Sequence, residues 1–115
     1  MLTTSLNLSQ RLAKLGVDAP SEWYWFLDGC KAHEAIGPTY YLATEKENDC
    51  DVLLCRAYTT DELLELLPEQ GVEIYRRAFG GWYVRCRKTQ KLFEDISISE
   101  SCGLMLEYLK ENNLL

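Results

Sequence analysis

The ten residues TTDELLELLP, numbers 59–68, do most to limit how this chain can fold. Thr59 followed three residues later by Glu62 is a capping box, in which each side chain satisfies a backbone N–H left over at a helix start. Asp61 adds an acid to the first turn, where the helix dipole favours one. Leu63, Leu64, Leu66 and Leu67 supply an apolar side. Pro68 pushes Leu67 out of helical geometry, so the segment predicts a helix of about two turns. It divides the chain into two strand-rich blocks.

Before it, Leu8, Leu12 and Leu15 recur on one face of a 3.6-residue period, with Thr4 or Ser5 as N-cap and Gly16 placed for the left-handed C′ conformation. Arg11 and Lys14 suit that helix's negative end. The aromatic run EWYWFL (22–27) reads as a strand with Asp28-Gly29 as its turn, and TYYLAT (39–44) and DVLLCRAY (51–58) as two more. After it, VEIYRRAF and WYVRCRK flank Gly80-Gly81, a dipeptide suited to a two-residue type I′ hairpin. A last helix opens at Ser97, with Glu100 in capping-box position, buries Cys102, Met105, Leu106 and Leu109, and stops at Asn112-Asn113. The expected fold is α+β, in the order α-β-β-β-α-β-β-α: one antiparallel sheet of about 4–5 strands covered by about three helices.

The 115 residues, 47% hydrophobic and 26% charged, fit one domain spanning 1–115. Apolar runs are too short for a membrane span of roughly 20 residues, and no signal peptide is read at MLTTSLNLSQ. Five cysteines at irregular spacing point to reduced thiols in a cytosolic protein.

Three stretches together, LTTSLNLSQRLAKLGV, AYTTDELLELLP and MLEYLKENNLL, resemble a widespread set of short uncharacterised proteins of bacteriophages and prophages. The likeness covers about a third of the chain, in the same order along it. It implies a phage or mobile-element origin and a life in the cytoplasm of the bacterial host, and it carries over no site residue. It also raises a narrower alternative, an inhibitor of a host defence system.

The charge distribution supplies the candidate site. The chain carries net charge −6, yet residues 72–91 hold six Lys/Arg against one acid, Glu73. With Gly80-Gly81 as a two-residue loop, Arg76 lies across from Arg85, and Arg76, Tyr83, Arg85 and Arg87 share the face opposite Trp82, Val84 and Cys86. Like charges directly opposite cost up to about 1 kcal/mol unless something answers them. The answer is internal, from acids such as Glu65, Glu69 or Asp51, or external. An external partner is an acidic protein surface, or a nucleic-acid backbone with Tyr83 as a stacking platform.

Cys30, His33, Cys50 and Cys55 contain the donor types of a Cys₃His zinc site, at a spacing that matches no tight knuckle. A thiol enzyme would need Cys30 with His33, the chain's one histidine. No P-loop, dinucleotide, G-x-S-x-G or H-E-x-x-H signature occurs, so neither catalysis nor a cofactor is expected. The run Trp23-Tyr24-Trp25-Phe26 makes its strand either central, covered on both faces, or a sticky patch that leaves a homodimer open. The expectation is a small non-enzymatic protein that binds another macromolecule, most simply a protein.

Overall fold

The computed structural model describes residues 2–29 and 38–115. In chain order its elements are α1 (Leu6–Lys14), β1 (Trp23–Leu27), β2 (Tyr40–Ala43), β3 (Val52–Ala57), α2 (Thr60–Leu66), β4 (Val72–Arg76), β5 (Trp82–Cys86), β6 (Leu92–Asp95) and α3 (Ile98–Glu111). The fold is α+β in the expected order, with one strand added before the last helix. Among the described residues six strands form two antiparallel sheets of three, β2-β1-β3 and β4-β5-β6, where one sheet of four or five was expected. The added strand, β6, is only LFED, and Phe93 is its one apolar residue packed on the core. Its turn back from β5 holds Gln90 at φ 63°, with the Gln90 N–H on the Cys86 carbonyl at 2.7 Å. No Gly or Pro marks that turn, which is why it read as loop.

Local chemistry sets the helix ends. Ser5 Oγ accepts the Leu8 N–H at 3.2 Å, and Gly16 takes φ 86° after α1. Thr59 and Glu62 form the reciprocal capping box of α2, with bonds of 3.3 and 2.9 Å. Ser97 Oγ accepts the Glu100 N–H at 3.2 Å, while the Glu100 carboxylate accepts from Ser5 N–H (2.8 Å) and Ser5 Oγ–H (2.7 Å). One acid thereby fastens the start of α1 to the start of α3. The ion pair of Arg11 with Glu107 at 2.6 Å repeats the tie further along both helices, and holds the Arg11 guanidinium pKa above its ordinary value.

The core lies where α3 packs on β5 and is met by α1 and α2. Leu8 and Leu12 of α1, Leu63 and Leu67 around α2, Val84 and Cys86 of β5, and Cys102, Met105, Leu106 and Leu109 of α3 bury together, with Tyr58 between. At the α1–α3 crossing a Cβ on Gly103 would stand 2.7 Å from Leu8 Cδ2 and Thr4 Cγ2, so glycine is what lets the two helices approach.

The sheet β2-β1-β3 stands to one side of this core. Its link is the N-terminal segment: Thr3 bridges Thr59, the Thr4 N–H donates to the Tyr58 carbonyl at 2.9 Å, and the Trp25 indole N–H reaches the Thr4 carbonyl at 3.2 Å. The aromatic strand β1 is central in that sheet, with Phe26 buried and stacked on Tyr41 at 5.3 Å. The loop after β2 closes on the buried Asp51 carboxylate, which accepts from the Tyr41 hydroxyl and from the Asn48 (3.1 Å) and Gly29 (3.2 Å) N–H groups. The Tyr41 bond, the largest of these influences, keeps the Asp51 carboxyl below its usual pKa.

Candidate functional site

The sheet β4-β5-β6 carries the basic segment. Its strands pair Val72↔Cys86, Glu73↔Arg85, Ile74↔Val84, Tyr75↔Tyr83 and Arg76↔Trp82, and the connecting loop is 77–81. That corrects the predicted two-residue hairpin. Gly80 and Gly81 do take positive φ (97° and 87°), but they close a longer loop in which the Arg77 N–H donates to the Gly81 carbonyl at 3.0 Å. The reason is burial. In the predicted register Ile74 would share the polar face, whereas the observed one sets Val72 and Ile74 beside Cys86 and Val84, against α3. An odd-numbered slip moves a whole strand's side chains to the other face.

The predicted site residues separate accordingly. Tyr83, Arg85 and Arg87 belong to the outer face, as expected. Arg76 does not join them: it lies across from Trp82, its guanidinium 5.9 Å from the indole centroid, so no Arg76–Arg85 pair exists. Opposite Arg85 stands Glu73. Its carboxylate takes Arg85 Nη2–H at 2.6 Å and Nε–H at 3.1 Å, lies 3.5 Å from Arg87 Nε, and accepts the Tyr75 hydroxyl at 2.5 Å. The Tyr75 bond first, and the Arg85 bonds next, hold the Glu73 carboxyl at about 2. The answering acid is therefore internal, and it is Glu73 rather than Glu65, Glu69 or Asp51. Sequence reasoning counted Glu73 yet gave it no role; the alternation Val72-Glu73-Ile74 was the signal that it faces outward.

Two further cations of the segment also have near neighbours. Arg77 pairs with Glu94 across 3.4 Å of exposed surface, and Lys91 Nζ sits 5.3 Å from the Phe93 centroid and 5.8 Å from that of Tyr108. Glu94 is on β6, directly across from Tyr83.

Beyond the ladder, the 77–81 loop presents Phe79 fully to solvent. The loop lies against the end of β6: a Cβ on Gly81 would meet the Asp95 carbonyl at 3.0 Å and Ile96 Cα at 3.5 Å. Ile96 itself is 87% exposed. The two most exposed large apolar side chains among the described residues thus share one end of this sheet, with Arg76 and Arg77 at its border.

Cys30 and His33 lie outside the described residues. Cys50 is disulfide-bonded, which corrects the expectation of reduced thiols at that position and removes it as a thiolate ligand. Cys55 is a free, buried thiol in β3. Among the described residues no cluster of three His, Cys, Asp or Glu side chains could hold a metal. Burial pushes the Cys55 and Cys102 thiols up to about 11, away from the thiolate a nucleophile needs. No helix among the described residues is long and apolar enough to cross a membrane. Comparison with protein-family models, curated proteins and solved structures finds no match, so function has to be read from this surface.

Proposed function

We propose that this chain is a non-enzymatic accessory protein of the bacteriophage type that acts by binding another protein, with Phe79 as its anchor. The observation that carries the reading is a fully exposed phenylalanine held on a glycine-closed loop beside an exposed Ile96. Neither side chain contributes burial to the fold, so folding alone gives no reason for an apolar residue at either position. Burying a phenylalanine in a partner's pocket is worth about 1.5–3 kcal/mol, and a few such desolvated anchors dominate protein interfaces. The arginines at the border favour an acidic partner surface and faster encounter. A nucleic-acid backbone fits less well, because an incoming phosphate would have to displace Glu73 from Arg85 and Arg87.

The test is affinity capture from a nuclease-treated bacterial lysate with the wild type and with Phe79→Ser. The expected outcome is one protein retained in stoichiometric amount by the wild type and reduced about tenfold or more by the variant, in line with a hot-spot loss. Both forms should have the same circular dichroism and thermal midpoint. Equal retention by both forms, or retention that vanishes on nuclease treatment alone, rejects the reading. A host-defence protein as the captured partner would support the inhibitor role that the phage resemblance suggests.

A further inference from the structure

Among the described residues, the outer edge of β3 is an unpaired strand edge with little to protect it. β3 is a border strand of its sheet, and among the described residues nothing pairs with its outer side between Val52 and Arg56. Native edges are blunted by lysine, proline, charge, a bulge or a covering element, and of these β3 has the bulge at Leu54. The run Val52-Leu53-Leu54-Cys55 has no lysine, proline or charge, while α1 packs on β3 and the Arg56 side chain at its far end donates to the Asp18 and Ala19 carbonyls. Val52 is 49% exposed and Leu53 56%. Both edges of the other sheet contrast with this: β4 carries Glu73 and Arg76, and β6 is four residues long with Glu94 and Asp95.

We propose that this edge pairs with the same edge of a second copy, antiparallel about a two-fold axis near Leu54, to give a continuous six-stranded sheet. Three features select a second copy over an unrelated strand. First, the register shift between Trp25 and Phe26 leaves Leu54 as an extra residue in β3. A regular strand would meet that bulge with a mismatch, whereas an identical strand brings the same extra residue to the axis. Second, the strand is charge-asymmetric along its length. The exposed loop before it holds Glu45, Glu47 and Asp49 with Lys46 among them, and its far end holds Arg56, whose guanidinium also donates to the Asp18 and Ala19 carbonyls. Antiparallel pairing sets each acidic loop toward the other copy's Arg56, while parallel pairing would put the two acidic loops side by side. Third, Tyr24, Phe26, Leu53, Leu54 and Arg56 line a groove of about 420 Å³ against this edge. A two-fold at Leu54 joins the two grooves into one apolar trough that both copies' leucines fill.

The experiment is sedimentation equilibrium of the full chain over a wide concentration range, with Leu53→Lys and Phe79→Ser beside the wild type. The wild type is expected to approach twice 13.3 kDa. Leu53→Lys should raise the dimer dissociation constant on the order of 100-fold, because a two-fold interface carries the substitution twice. Amide exchange at 52–56 should slow as the wild type is concentrated. Phe79→Ser should dimerise like the wild type, which keeps this outcome separate from the tip's partner binding. A wild-type monomer at every concentration overturns the inference and leaves the edge to a strand of some other protein. Leu53→Lys dimerising as readily as wild type, or assembly that grows without closing, overturns it as well.

Discussion

The two sheets solve the same burial problem unequally. The β4-β5-β6 sheet lays Val84 and Cys86 under α3 and turns outward a face whose charges answer one another around Glu73. The β2-β1-β3 sheet has aromatic side chains on both faces and is joined to the helices at one end only, through α1 and the Thr3–Thr4 segment. Its far end keeps Val52, Leu53 and Tyr40 in water. A face that spends its polar residues on internal pairing has little left with which to bind. An edge or tip that exposes apolar groups has unspent burial, and that is where partners are to be sought. The basic count in 72–91 marked a face where Arg85 and Arg87 are answered from within the chain by Glu73.

The largest expected effect tests that division directly. Met105→Ala removes a fully buried side chain at the meeting of the helices and should cost about 2–5 kcal/mol in chemical denaturation. Leu53→Ala, in the projecting sheet, should stay within about 0.5 kcal/mol when both are measured dilute enough for the chain to be monomeric, as surface changes do. Equal losses for the two under those conditions would mean that the fold itself covers Leu53, and would break the comparison.

An intermediate effect is expected at the joint. α2 is the element between β3 and β4, and so between the sheets. Thr59→Ala opens its capping box and removes an acceptor for the Glu62 N–H, for a loss of about 1 kcal/mol. Amide exchange should accelerate first at the start of α2. Should the projecting sheet also lose protection, the joint is what holds the two halves in register.

Which parts of this were legible in the sequence follows from the range of the interaction involved. The caps at Ser5, Thr59 and Ser97 and the stops at Gly16 and Asn113 depend on residues a few positions apart and were readable, but the capping box expected at Ser97 does not close, because the Glu100 carboxylate goes to Ser5 and the Ser97 N–H to Asp95. Pairing depends on residues far apart. Gly80-Gly81 gave a correct local signal, positive φ at both residues, but the register followed from Val72 and Ile74 needing the α3 side. The division into two sheets left no mark in any strand, since β3 and β4 both look like strands with a free side. Phe79 was assigned to a strand in the two-residue hairpin, so its full exposure could not be foreseen. Glu73 was hidden for the same reason: it becomes Arg85's partner only when the pairing shifts.

The smallest effect is at Glu73, and its sign distinguishes the closed outer face from an open one. The Tyr75 hydroxyl and Arg85 hold this carboxyl at about 2, below the ordinary glutamate range. A carboxyl depressed in the folded state stabilises the fold above its unfolded value, and that stabilisation is lost as pH falls through the folded value. The thermal midpoint of the wild type should therefore exceed that of Glu73→Gln by a constant margin from neutrality down to about pH 5, and the margin should close between about pH 4.5 and 2. Added salt should shrink it, because the network is at the surface. A carboxyl resonance of Glu73 that titrates near 2 would show the arginines already occupied in the free protein. A titration at the ordinary glutamate value would show Arg85 and Arg87 free to meet an external anion, and the outer face would then regain its standing as the binding surface.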